Sequence, residues 1–235
     1  MGFIYNPLTG EFNITGASGG GSSSGAFNPK FVNYSDDGIN ESIWFTDAQG
    51  GASVSHGTGN SQIPGVIEGF LGTDGTGTLA VLLGSPNNLG ELPPMSGATA
   101  ISTRVLLANL ATDDDIFILE IGLLDWEGNN GLFIRYDRSL STNWYIVSSI
   151  SSVETAVETD ISVAADVVTF DVAVNSDLNS VEYFINGVSA GTITDNIPTE
   201  RGMGVGFIAA QSAYVAVNPF FILDYSSFSS AAPFR

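Results

Sequence analysis

Residues 167–198 read VVTFDVAVNSDLNSVEYFINGVSAGTITDNIP. In Val167–Val174, Val168, Phe170, Val172 and Val174 point one way while Thr169, Asp171 and Ala173 point the other. Successive side chains of an extended strand alternate between faces, so this pattern predicts a strand with one buried side. A hairpin follows over Ser180–Gly191, with Val181, Tyr183 and Ile185 on a common face. Asn186-Gly187 supplies the turn, because both residues tolerate the positive φ that a two-residue hairpin needs. Val188–Ile193 returns.

Outward from this stretch the same signals recur. Ile116–Leu123 places Phe117, Leu119, Ile121 and Leu123 on one face, and Leu132–Tyr136 and Trp144–Ile150 follow after the turns Glu127–Gly131 and Arg138–Asn143. Thr78–Leu83, Gly204–Ala209 and Phe220–Phe228 bring the set to eight or more short strands. Ile101–Leu110 reads equally as a short helix or a buried strand. Many short strands at regular turn spacing predict an all-β chain, an antiparallel two-sheet sandwich with long loops.

Resemblance narrows the class. Phe170–Pro198 resembles the back half of concanavalin-A-like (laminin-G-like) jelly rolls, in which a polar turn precedes a strand ending in Asn-Gly and the next strand closes at a proline. The matching residues are Val181, Glu182, Tyr183, Phe184, Ile185, Asn186, Gly187 and Pro198. Phe221-Ile222-Leu223-Asp224-Tyr225 resembles the closing strand of the same domains. The resemblance spans roughly residues 75–228 and implies a fold; that fold carries lectins, hydrolases and virion parts alike.

The N-terminal region divides in two. Residues 1–15, MGFIYNPLTGEFNIT, hold two short apolar runs around Asn6-Pro7-Leu8-Thr9-Gly10, where proline fixes φ and glycine supplies a positive one. So small a hairpin cannot bury its own large side chains, and an isolated one is marginal in water, so the head must dock on its own domain, a sister chain or another protein; the opposing reading is a disordered terminus. Residues 16–25, GASGGGSSSG, form a tether spanning about 17 Å r.m.s.. Residues 26–235 make the sandwich domain, with 26–75 its loop-rich part. The head resembles the opening of tailed-bacteriophage tail-fibre and appendage proteins through Phe3, Tyr5, Asn6, Pro7, Thr9, Gly10 and Phe12. That resemblance implies attachment to other virion proteins through these residues, assembly as a homotrimer, and residence in the virion after synthesis in a host cytoplasm. A capsid decoration protein is the alternative, and a lectin-like protein that binds or hydrolyses carbohydrate a second one.

Composition excludes several functions. Of 235 residues 43% are hydrophobic, enough for a substantial core, and 28 glycines suit many turns. Six Lys+Arg against 25 Asp+Glu give a net charge of −19, with Lys30 the one lysine. Almost nothing is present to neutralise phosphates, which argues against nucleic-acid binding and against docking on anionic lipid. No stretch approaches the ~20 apolar residues of a membrane-spanning helix, and the N-terminus lacks the basic and apolar regions of a secretory signal. Zero cysteines exclude disulfides and thiolate metal sites, and one histidine, His56, argues against a Ser-His-Asp triad.

Candidate site residues remain. Glycosidases of this fold place carboxylates as E-x-D-x-x-E on one strand, where an acid and a nucleophile flank the scissile bond. Here Glu120 and Asp125 are five apart, on opposite faces of a regular strand, and Glu127 runs into a turn; the spacing argues against an enzyme. Trp44, Trp126 and Trp144 lie at or near loop ends, where an exposed ring could stack on a sugar, with Asn129, Asn130 and Asp137 as hydrogen-bonding partners; the opposing reading is that such tryptophans belong to the core. Asp113-Asp114-Asp115 is either a solvated acidic turn or a group sharing a calcium ion, which takes six to eight oxygens and tolerates irregular loops.

Overall fold

Apolar alternation interrupted by turn residues divides the chain into seventeen strands among the described residues: β1 (Gly2–Asn6), β2 (Glu11–Thr15), β3 (Phe31–Tyr34), β4 (Trp44–Gln49), β5 (Ser53–Gly57), β6 (Val66–Phe70), β7 (Thr78–Leu83), β8 (Thr99–Leu107), β9 (Phe117–Asp125), β10 (Gly131–Asp137), β11 (Asn143–Ile150), β12 (Val153–Ser162), β13 (Val167–Val174), β14 (Val181–Ile185), β15 (Val188–Ile193), β16 (Met203–Gln211) and β17 (Phe220–Ser230). The computed structural model of the chain describes residues 2–6, 11–15, 31–34, 44–57, 66–73, 75–83, 95, 97–113, 116–125, 129–199, 203–211 and 219–230.

Two antiparallel sheets face each other. One has seven strands in the order β12-β11-β10-β9-β16-β7-β4, and the other eight in the order β15-β14-β13-β8-β17-β6-β5, with β3 also pairing β17. The ambiguous stretch at 101–110 is strand β8, paired with β13 on one side and β17 on the other. A strand flanked on both sides must turn alternate residues inward, and Ile101, Val105 and Leu107 do so. Residues 26–75 contribute β3, β4, β5 and β6, so this part of the chain is built into both sheets.

The core lies between the sheets. Phe117, Phe207 and Phe221 meet at its centre, Phe117–Phe221 at 5.6 Å edge-on and Phe207–Phe221 at 5.7 Å. Phe170 packs on Tyr183 at 6.0 Å, and the Tyr183 hydroxyl donates to the Val147 carbonyl at 2.9 Å. Burying an aromatic side chain contributes roughly 1.5–3 kcal/mol, and its polar tip then needs a partner.

A second apolar cluster occupies the outward face of the seven-stranded sheet: Leu82, Leu124, Phe133 and Val147, with Phe45, Tyr145 and Ile208 packed against it. Glycine occupies two neighbouring register positions of this sheet. Gly122 pairs with Phe133 on β10 and with Gly206 on β16. A Cβ on Gly122, whose φ is +152°, would sit 2.3 Å from the Leu132 carbonyl oxygen.

Turn chemistry sets the hairpins. Asn186 and Gly187 have φ of 51° and 75°, as expected from Asn-Gly. Asn186 donates its amide to the Thr169 carbonyl and accepts from the Thr169 amide through Oδ1, both at 2.8 Å, which pins the turn to β13. The β11–β12 turn has Ser151 and Ser152 at φ 51° and 65°, a mirror-image turn built without glycine. At the N-terminus, β1 pairs β2 from Gly2↔Thr15 to Asn6↔Glu11, a hairpin at the position expected from its two runs.

Candidate functional site

Three places on the sandwich gather polar chemistry. The first is the outward face of the seven-stranded sheet, where register sets Glu120 opposite Arg135. Arg135 donates Nε to Glu120 Oε1 at 2.8 Å, and Nη1 and Nη2 to the two Glu154 oxygens at 2.8 and 2.6 Å. Nη2 also lies 2.8 Å from Glu120. The guanidinium sits 5.3 Å from the centroid of the Phe133 ring, over the outer apolar cluster. Burial holds the Glu120 carboxyl above its usual range, while the Arg135 charge pulls it back. Glu154 gives both oxygens and Glu120 its Oε1 to one guanidinium, so the arrangement braces β9, β10 and β12 together. The outward positions of β9 are Ile118, Glu120, Gly122 and Leu124, one carboxylate among four residues.

The second and third places are the two ends of β10, and they divide the residues expected to bind sugar. Asn129 and Asn130 precede β10 while Asp137 ends it, a separation of roughly 23–26 Å at the rise of an extended strand. Trp126 falls outside the described residues.

At the first end the amides are consumed internally. The Asn129 amide and Asn130 Nδ2 donate to the two Asp125 oxygens at 2.7 and 2.8 Å. Asn130 Oδ1 accepts the Ser151 amide at 2.8 Å, and Asn129 Oδ1 accepts the Ser152 hydroxyl at 2.5 Å. These bonds hold the all-serine turn in its left-handed conformation. At the other end Asp137 is 8% exposed and accepts both the amide and the hydroxyl of Ser139, closing the β10–β11 turn. Trp144 is 2% exposed, its ring 6.1 Å from that of Tyr136. It is a core residue, and no face of the ring is offered to a sugar.

This second end also holds a recess of about 280 Å³. Three loops frame it: the β8–β9 loop brings Leu110 and Asp113, the β10–β11 loop Arg138 and Thr142, and the β12–β13 loop Val163, with Tyr136 at its wall. The Tyr136 hydroxyl donates to the Ala111 carbonyl at 3.2 Å. Arg138 Nη2 lies 3.2 Å from Asp113 Oδ1, with side-chain exposures of 31% and 87%. Asp113 therefore already faces a guanidinium, Asp114 and Asp115 lie outside the described residues, and no three carboxylate or imidazole groups converge among the described residues. The residues described do not compose a calcium centre. The recess escapes sequence reading because its lining comes from three distant loops; its one legible signal is Arg138, a cation in a cation-poor chain.

The attachment residues divide likewise. Phe3, Tyr5, Asn6 and Phe12 fall in the β1–β2 hairpin, with Tyr5 opposite Phe12; Pro7, Thr9 and Gly10 lie outside the described residues. His56, read as a loop residue, is in β5 opposite Ile67.

The chain matches no protein-family profile and no curated protein sequence. Solved structures do match in shape. A Bacillus licheniformis β-glucanase is similar over 86% of this chain and 98% of its own, with 12% identity and a TM-score of 0.56. The carbohydrate recognition domain of Emp47p is similar over 86% and 95%, with 12% identity and a TM-score of 0.55. A Lotus tetragonolobus seed lectin is similar over 87% and 100%, with 12% identity and a TM-score of 0.50. At this identity the likeness is one of fold: the sandwich is a concanavalin-A-like jelly roll.

Proposed function

We propose that the chain is a structural component of a bacteriophage virion, a tail-fibre or appendage protein whose N-terminal hairpin fastens it and whose jelly roll is presented to host-surface glycan. One observation carries the reading: among the described residues, β1 and β2 pair with each other and with neither sheet of the sandwich. A hairpin so short is marginal alone in water, and the Gly/Ser run at 16–25 separates it from the body. Two of the shape neighbours are named as a lectin and a carbohydrate recognition domain, which supports the glycan half of the reading. The chain acts by binding. Three copies in a homotrimer would convert weak single-site affinity into avidity through effective concentration.

Antibody labelling of purified phage particles tests the assignment. Label at the tail or its appendages is expected. Label over the shell favours the decoration alternative, and particles that carry none of the protein overturn the virion reading.

A further inference from the structure

We infer that the rim recess between Asp113 and Arg138 binds a carboxylated sugar, of the uronic-acid kind, with Arg138 as the carboxylate receptor and Asp113 as its exchangeable stand-in. The inference rests on the glycan-presenting reading above and deepens it.

Three arginines lie among the described residues. Arg135 is locked between two carboxylates. Arg104 pairs on a sheet face with Asp224, whose side chain is 24% exposed. Arg138 lines the recess, and its partner Asp113 is 87% exposed, held by a contact at 3.2 Å. A solvated pair of this kind contributes little, because water competes for both charges and two side chains must be held still. A ligand carboxylate inside the recess can meet the planar guanidinium with two parallel hydrogen bonds, the stronger geometry. Asp113 then swings into water at small cost.

The rest of the recess suits a sugar ring. Leu110 and Val163 supply apolar surface for its C–H face, and Thr142 brings a hydroxyl to the rim. The volume of about 280 Å³ lies near the lower end of small-molecule sites. A neutral sugar would leave the Asp113–Arg138 pair intact and gain only hydroxyl contacts. The net charge of −19 does not forbid an acidic ligand, since exposed charges beyond about 8 Å are screened at physiological salt. Among the described residues, Asp137 beside Arg138 is buried and committed to Ser139.

Calorimetric titration of the full chain with a glucuronic-acid-terminated trisaccharide and its glucose-terminated counterpart tests the inference. The acidic probe is expected to bind at least about tenfold more tightly. Arg138→Gln should erase that preference with melting temperature unchanged, and Asp113→Asn should strengthen acidic binding several-fold by removing the competitor. Equal binding of both probes, or acidic binding untouched in Arg138→Gln, overturns the inference and leaves the glycan reading standing. Silence of both probes together with a silent glycan array overturns the glycan reading and the inference with it.

Discussion

The two ends of β10 are built from similar residue types and arrive at opposite results. At the Gly131 end, Asp125, Asn129, Asn130, Ser151 and Ser152 satisfy one another and fix a left-handed serine turn. At the Asp137 end, the turn is closed by Asp137 and Ser139, while Arg138 and Asp113 face solvent across a recess. Amides and carboxylates near a loop make a site only where their hydrogen-bonding capacity is left for another molecule. A closed network supplies stability, and an exchangeable pair leaves capacity for the ligand proposed above.

Substitutions at the two ends and in the sheets separate these roles. The largest effect is expected at Trp144, which underlies the open end. Trp144→Ala should cost about 3–5 kcal/mol in denaturant unfolding, as for a large core side chain; a variant that keeps its stability but loses sugar binding would return Trp144 to the ligand surface. Next is Arg135→Met, which strands Glu120 in a buried site and should cost about 3 kcal/mol at neutral pH. The Glu120 carboxyl is already raised by burial, so without Arg135 the folded state favours its proton more strongly. The deficit should therefore shrink as pH falls through the carboxyl range, and a pH-independent deficit would show that the brace works by packing alone.

At the closed end, Asn130→Ala should cost about 1–2 kcal/mol through lost bonds to Asp125 and Ser151. Arg138→Gln at the open end should stay within about 0.5 kcal/mol of the parent. Equal costs would erase the distinction between the two ends. The smallest effect is expected at Asp171, on the outward face of the eight-stranded sheet. Burial raises its carboxyl above the ordinary value, partly offset by the 2.5 Å bond from Ser102. A raised folded-state value means that this group's stability is present at low pH and lost as pH rises through that value. Asp171→Asn should therefore raise the melting temperature slightly at pH 7 and flatten its pH dependence.

Much of the fold was legible because it is written in alternation. Val167–Val174, Thr78–Leu83 and the Asn186-Gly187 turn appear in the structure at the residues expected from the sequence. β12 was not legible: at an exposed sheet edge its sequence, VETAVETDIS, needs no continuous apolar face. Its turn was hidden for a related reason, since Ser-Ser gains a positive φ only through Asn129 and Asn130 some twenty residues away. The site was less legible still. Trp144 carries the same letters whether buried or exposed, and the recess exists only after three loops are brought together. Local pattern encodes strands; a binding surface depends on contacts between residues far apart in the chain.

The central claim is that the hairpin fastens and the sandwich presents. A full-length Phe12→Asp variant separates the two roles, because Phe12 pairs with Tyr5 within the hairpin. Particles assembled in cells expressing this variant should lose the protein on immunoblot, while circular dichroism of the purified chain keeps its sheet signal and melting transition. Incorporation at the parental level would contradict the account.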